Sequence, residues 1–296
     1  MQLALIGNPV SHSKLPEIYQ FLGQQVKKNV VVERVHTEEV HFYDEVNKYL
    51  KCETPKDGLV ITVPFKEKAY EMCDVLTEHA AKAKSVNCLT LTDTGLICGD
   101  NTDGRGMVHD CQENIGYDFK NKTCLLLGAG GAAKGILSSL LHTSIEHVFI
   151  CNRSTDRAKN LASSFSNQDK ISIIEEAEAK KMHFDCIVNA TSASLREDLP
   201  QGLPDRLKSD CLCYDVVYKA GDTVFSKWAK VKKASYVHSG VGMLVEQGKI
   251  FLEKLGLPEM ESRSAIKELA DRILVKKMND TEFNEAMSHN MLCEGK

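Results

Sequence analysis

The 296-residue chain is predicted to be an α/β protein of two domains, one of them built to hold a dinucleotide. Three observations predict this. A short apolar run, Cys124 to Leu127, opens into Gly-Ala-Gly-Gly-Ala-Ala and then into a largely apolar helix. Strand-like and helix-like segments alternate on both sides of that stretch, as they do where helices cover sheets. The length, finally, exceeds what a single core usually fills.

The glycine stretch carries the strongest chemistry. Gly128, Gly130 and Ala133 stand in G-x-G-x-x-A spacing. Gly128 suits a tight turn, Gly130 lets backbone approach a pyrophosphate, and Ala133 lets helix pack close on strand. The free N–H groups and dipole of the helix that follows favour an anion at its start. The next strand, His147 to Cys151, lacks the terminal Asp or Glu that holds the ribose hydroxyls of NAD. Asn152-Arg153-Ser154-Thr155-Asp156-Arg157 follows instead. Two guanidinium groups in this turn suit a 2′-phosphate, so NADP(H) is expected over NAD(H). Asp156 is read as a cap for a helix from Arg157 to Phe165.

Composition narrows the class. A net charge of −4 with scattered basic residues argues against a nucleic-acid surface. No apolar run reaches the eighteen or so residues of a membrane span, and the N-terminus carries no secretory pattern. Several of the eleven cysteines fall within apparent strands and no C-x-x-C occurs. Cys211 and Cys213 share one strand face at a spacing too long for an unstrained disulfide. Reduced thiols and a cytoplasmic location are expected. The ten histidines are dispersed, and no metal site is expected.

In chain order, Gln2 to Ile6 is a first strand, opening into a hydroxyl-rich loop through Pro16. A helix from Glu17 to Val26, a strand from Asn29 to Arg34 and a helix from Val40 to Leu50 follow. Asp57 to Val63 is a third strand, and Glu67 to Leu76 and His79 to Lys84 are helical. Val86 to Leu91 and Leu96 to Gly99 form a hairpin. A helix from Arg105 to Ile115 bridges to the nucleotide unit. There, Ile171 to Ile174, Asp185 to Val188, Cys211 to Val217 and Ala234 to Val237 are strands, and Glu175 to Lys181 and Thr223 to Lys230 are helices. Helices over Met243 to Leu255 and Ser262 to Lys277 and a polar tail from Thr281 to Lys296 close the chain.

Taken together, the motifs resemble a known family. Ser-His-Ser-Lys (11–14), Thr-Val-Pro-Phe-Lys (62–66), Val-Asn (86–87), Gly-Asp-Asn-Thr-Asp-Gly (99–104), Gly-Ala-Gly-Gly-Ala (128–132), Asn-Arg-Ser (152–154), Asn-Ala-Thr-Ser (189–192) and Gly-Val-Gly-Met-Leu-Val-Glu-Gln (240–247) occur in order. This set is similar to that of the shikimate dehydrogenases. The resemblance implies two α/β domains flanking a cleft, the second a Rossmann-type NADP-binding domain, with C-terminal helices returning to the first. On that reading residues 1–105 plus 239–296 form the substrate-binding domain and 106–238 the NADP-binding domain. The implied reaction is NADPH-dependent reduction of 3-dehydroshikimate to shikimate, by a monomer or homodimer.

The resemblance also assigns residues. Lys66 and Asp103, both read as lying in loops at the ends of elements, match the catalytic pair. An amine and a carboxylate converging on one hydroxyl can hold it and move its proton while the cofactor takes the hydride. Ser13, Thr62, Asn87, Tyr218 and Gln247 match positions that bind the substrate's hydroxyls and carboxylate. Gly128, Gly130, Gly131, Ala132, Asn152, Arg153, Ser154, Arg157, Thr191, Val216 and Gly240 form the implied cofactor set.

Three residues depart from the family pattern. Leu15 replaces a second serine, Val60 replaces an asparagine, and Ser194 stands where a glycine is common. Leu15 is expected to bring an apolar side chain to the mouth of the carboxylate site and to weaken shikimate binding. A relative acting on quinate or another cyclohexane polyol acid, and an NADP-binding sensor without catalysis, are the competing readings. Retention of both Lys66 and Asp103 weighs against the sensor.

Overall fold

The computed structural model describes residues 1–11, 13–166, 168–219 and 221–270. Two six-stranded sheets carry the fold, each buried on both faces. In the first, β1 (Gln2–Gly7), β2 (Val31–His36), β3 (Gly58–Ile61), β4 (Val75–Leu76), β5 (Cys88–Leu91) and β6 (Ile97–Asp100) lie in the order β2-β1-β3-β5-β6-β4. The pairs β1–β2, β1–β3 and β4–β6 are parallel, whereas β3–β5 and β5–β6 are antiparallel. The alternation within β1 shows why the strand has no polar face. Leu3 and Leu5 enter one apolar cluster and Ala4 and Ile6 the opposite one.

Helices α1 (Leu15–Gln25), α2 (Phe42–Leu50), α3 (Lys66–Glu71) and α4 (Glu78–Ala83) connect these strands. The helix expected from Glu67 to Leu76 is therefore shorter. Val75 and Leu76 leave it to pair with Cys98 and Gly99 as an edge strand. Helix α5 (Asp103–His109) runs on as a π-helical turn, Asp110–Ile115, toward the second sheet.

That sheet contains β7 (Thr123–Leu127), β8 (His147–Cys151), β9 (Ile171–Ile173), β10 (Cys186–Asn189), β11 (Leu212–Asp215) and β12 (Tyr236–Ser239). Every pairing is parallel and the order is β12-β11-β10-β7-β8-β9. This is the doubly wound order, whose ligand crevice lies outside the carboxyl ends of the strands where the order reverses, between β7 and β10. Helices α6 (Gly131–Leu141), α7 (Thr155–Ser163), α8 (Glu176–Ala179) and α9 (Val224–Val231) cover it.

Helix α10 (Val241–Lys254) then returns to the first sheet, where Val245, Phe251 and Leu252 are buried beside Leu3, Leu5 and Tyr19. Residues 262–270 form a further helix, α11. The rest of the predicted last helix, 271–277, and the polar tail from Thr281 to Lys296 lie outside the described residues, as does His12. The cysteines among the described residues are free, Cys211 and Cys213 included. No helix among them is long and apolar enough to cross a membrane.

The two sheets meet through α5. A Cβ on Gly104 would lie 1.9 Å from the carbonyl oxygen of Gly135 in α6, so no side chain fits between these helices. On its other side α5 meets α10 at Gly106, where a Cβ would come within 2.8 Å of the Gln247 nitrogen. Lys134 of α6 adds an ion pair with Glu67 of α3, and His142, beyond the end of α6, lies 3.4 Å from Glu78 of α4.

Candidate active site

The chain ends of β3, β5 and β6 converge on one point. Ile61 donates its N–H to Asn87 at 2.7 Å, and Asn87 donates its own to Asp100 at 3.0 Å. These bonds extend the ladders one residue beyond the strands. They bring the Thr62–Phe65 turn, Asn87 and the Asn101–Asp103 segment side by side. The turn closes with Phe65 N–H on the Thr62 carbonyl at 3.0 Å, and the Lys66 carbonyl accepts Val86 N–H at 2.9 Å.

Lys66 Nζ consequently stands 2.6 Å from Asp103 Oδ2, with the lysine side chain 19% exposed and the aspartate 3%. The sequence reading places both residues in loops, and the structure corrects this. Each is the first residue of a helix, Lys66 of α3 and Asp103 of α5. Asp103 at a helix start is favourable for a carboxylate. Lys66 there is not, and its ion pair with Asp103 offsets the mismatch.

Asn87 is the hub. Its Nδ2 lies 2.9 Å from Thr102 Oγ1, Asp103 Oδ1 and Gln247 Oε1, while its Oδ1 accepts Thr102 N–H at 2.9 Å. An amide has two N–H donors, so three acceptors share them, and a ligand hydroxyl can displace one. Thr62 is half-buried beside this network. Thr102 and Asn101 were not singled out from sequence. The first fixes the Asn87 amide from both ends, and Asn101 Oδ1 accepts Asp103 N–H at 3.2 Å.

Ser13 and Tyr218 lie toward the start of α1. Ser13 Oγ accepts Leu15 N–H at 3.3 Å, leaving the hydroxyl proton available. The Tyr218 phenol meets the backbone of Lys14, and burial raises its pKa above the usual tyrosine value. Leu15 corrects an expectation. It is 5% exposed and packs with Ile18, Tyr19 and Leu22 in the core, not at a cleft mouth. Val60 is likewise a core residue, 2% exposed.

The nucleotide side is built by the turn after β7. Gly128 has φ +108°, a conformation open to glycine and costly for other residues. Gly130 caps α6 without a side-chain bond, and a Cβ built on it would meet nothing within 4 Å. Backbone N–H groups, a helix dipole and open space are what a pyrophosphate needs, so the residues fit a dinucleotide. Gly131 and Ala132 open the helix beside it, and Ala133 is buried against the sheet.

Beyond β8, Asn152 Nδ2 bonds the Ser154 carbonyl at 2.8 Å, and Ser154 Oγ accepts Arg157 N–H at 3.4 Å. Ser154, not Asp156, is therefore the cap of α7, which begins at Thr155. Arg153 and Arg157 are exposed. Asn152, Arg153, Thr155 and Lys159 line one wall of a hollow whose other wall includes Glu175 and Glu176.

Thr191 is tied by its hydroxyl to Asn189 Oδ1 at 2.7 Å. Val216 and Gly240 meet backbone to backbone, since a Cβ on Gly240 would lie 2.1 Å from the Val216 carbonyl. Ser194 is fully buried and donates to Asp215 Oδ2 at 2.7 Å. Asp215 also accepts from Thr223 at 2.6 Å and Asn189 at 3.0 Å. The departure at Ser194 is thus a satisfied buried hydroxyl supporting the Thr191 loop. Burial still raises the Asp215 pKa above the ordinary carboxylate value.

A dinucleotide cradle in one domain and a lysine–carboxylate pair in the other are the two halves that hydride transfer at a hydroxyl-bearing carbon requires. Fold and site together define a nicotinamide-nucleotide-dependent oxidoreductase. Comparison with known proteins gives the family. Residues 5–89 match the shikimate dehydrogenase substrate binding domain, and residues 110–198 match shikimate / quinate 5-dehydrogenase. The chain is 37% identical over 271 residues to a shikimate dehydrogenase (NADP(+)) from Nitrosomonas europaea, covering 91% of this chain and 97% of the relative. Among solved structures, an Ael1 enzyme from Pseudomonas putida is 33% identical with a TM-score of 0.84, covering 90% of this chain and 97% of its own. A shikimate 5-dehydrogenase from Thermus thermophilus, solved with NADP(H) and shikimate, is 26% identical with a TM-score of 0.80, covering 93% and 100%. The chain belongs to the shikimate dehydrogenase family.

Proposed function

We propose that the protein interconverts 3-dehydroshikimate and shikimate with NADP(H), residues 1–105 plus 239–296 binding the polyol acid and 106–238 the cofactor. The observation that carries this reading is the 2.6 Å contact between Lys66 and Asp103, joined through Asn87 to Gln247. When bound, NADPH supplies a hydride to the ring carbonyl carbon. Lys66 donates the proton to the oxygen that becomes the hydroxyl. Asp103 holds the Lys66 ammonium and, through the network, the position of that oxygen. Asn87, Thr62 and Gln247 orient the ring hydroxyls, and Ser13 and Tyr218 face the carboxylate.

The cofactor is held by Gly128, Gly130, Gly131 and Ala132 at the pyrophosphate. Asn152, Arg153, Ser154 and Arg157 take the 2′-phosphate end, and Thr191, Val216 and Gly240 the nicotinamide end. The enzyme works in the cytoplasm as a monomer or homodimer. A second reading, quinate or another cyclohexane polyol acid as substrate, is raised by the family model that matches residues 110–198, whose description names both shikimate and quinate. Following NADPH formation from NADP with shikimate, with quinate and with neither tests both. Turnover with shikimate above quinate is expected, and turnover with neither acid overturns the proposal.

A further inference from the structure

Ser13 reaches the ligand from a short loop between β1 and α1, and that loop is held from outside the site. Arg34, on the edge strand β2, donates from Nη2 to the Ser13 carbonyl at 2.9 Å and to Glu17 Oε2 at 2.8 Å. Arg34 pairs in register with Leu5 of β1, so its backbone is fixed by the sheet beside the strand from which the loop departs. Ser13 N–H bonds the Val10 carbonyl at 3.1 Å, and Ser13 Oγ accepts Leu15 N–H at 3.3 Å. Nitrogen, carbonyl and hydroxyl oxygen of Ser13 are all engaged. Its hydroxyl proton alone is left to give.

The neighbours explain why this matters more here than in a loop with two donors. Leu15 packs into the core and offers no hydrogen bond. Lys14 has its ammonium 3.9 Å from Glu17, beside Arg34. Of Ser13, Lys14 and Leu15, Ser13 is therefore the one with a hydroxyl proton to turn toward an anion, and its direction depends on the peptide that Arg34 grips. An arginine suits the task because its planar fork can bond a carbonyl and a carboxylate at once in fixed geometry.

We propose that Arg34 is a positioning residue for recognition of the ligand's carboxylate. It acts through the Ser13 carbonyl without touching the ligand, and the proposal rests on the reading of the substrate as a polyol acid. Loss of the grip frees the loop to rotate the Ser13 hydroxyl away from its target. The effect falls on the acid and not on the dinucleotide, whose cradle lies in the other domain.

The test compares wild type, Arg34→Met and Arg34→Lys. It measures kcat and KM for shikimate, KM for NADP, melting temperature and the equilibrium dissociation constant of shikimate. Arg34→Met is expected to raise the shikimate KM and dissociation constant at least tenfold, with kcat and the NADP KM within twofold. Arg34→Lys, which can reach the carbonyl with a single donor, is expected to fall between the two. A second ligand isolates the functional group, namely the same ring with its hydroxyls and no carboxylate. On that analogue Arg34→Met and wild type are expected to perform alike. An equal loss on both ligands, or a shikimate dissociation constant unmoved in the variant, overturns the proposal. Failure of wild type to turn over shikimate overturns the substrate reading instead, and the dissociation constants still report on Arg34.

Discussion

Lys66 Nζ and Asp103 Oδ2 are 2.6 Å apart although 37 residues separate them in the chain. Each opens a helix of its own, and the ends of β3, β5 and β6 bring the two together. A charged donor held at the point where an alkoxide forms contributes by general acid catalysis, typically 10²- to 10⁴-fold. Lys66→Ala is expected to lower kcat by about that factor, with NADP affinity little changed. Near-normal turnover in single-turnover kinetics would remove Lys66 from the chemistry.

Arg153 is the residue proposed to set the cofactor preference. It is exposed beside Asn152 at the rim of the hollow beyond β8, where an acidic residue would serve NAD. A charge-assisted bond to phosphate is worth about 1.5–3 kcal/mol. Arg153→Ala should weaken NADP binding roughly tenfold or more and leave NAD binding nearly unchanged. Parallel titrations of both nucleotides decide this, and equal losses would exclude a role in reading the phosphate.

Leu15 sits in a packed core. Leu15→Ser should therefore cost about 2–4 kcal/mol of stability and leave the shikimate KM within about threefold, since the serine hydroxyl takes up a buried position. Chemical denaturation and steady-state kinetics on the same preparation read both. A tenfold fall in KM with undiminished stability would mean that residue 15 faces the ligand after all.

Asp110 gives the fold a pH dependence. Burial pushes its carboxyl up to about 6 and the nearby Glu246 adds to the rise, against the bonds from Tyr214 and Asn114 that lower it. The folded protein thus holds this proton more tightly than the unfolded chain. The associated stability is full below about pH 4, the ordinary carboxylate range, and is lost as pH rises through about 6. Asp110→Asn should flatten stability between those limits. Denaturation midpoints from pH 4 to 8 check it, and an unchanged slope in the variant would assign the dependence elsewhere.

What sequence revealed and what it hid follow from the range of the interactions. The Gly128–Ala133 turn was legible because its chemistry is local. A strand, a tight turn and a helix start announce themselves within a dozen residues. Lys66, Asp103 and Asn87 were legible as members of short motifs. Their helical setting was not, because neither Lys66 nor Asp103 follows a side-chain cap. The two-residue strand β4 could not be seen, since only its pairing with β6 makes it a strand. The bond from Asn87 to Gln247 spans 160 residues, and the grip of Arg34 on Ser13 is a backbone contact that no residue pattern signals. Leu15 was misplaced for a related reason. Spacing gives the position of a residue along the loop but not which way its side chain turns.

The contact between Gly104 and Gly135 has a mechanical consequence. With carbonyl oxygen against Cα there is no side chain between α5 and α6 to compress or flex. Asp103 is next to this contact on one helix, and Gly131, at the head of the other, is about a turn from it. The spacing of the two helices at this crossing is thus set by backbone against backbone, and any side chain added at Gly104 would wedge them apart.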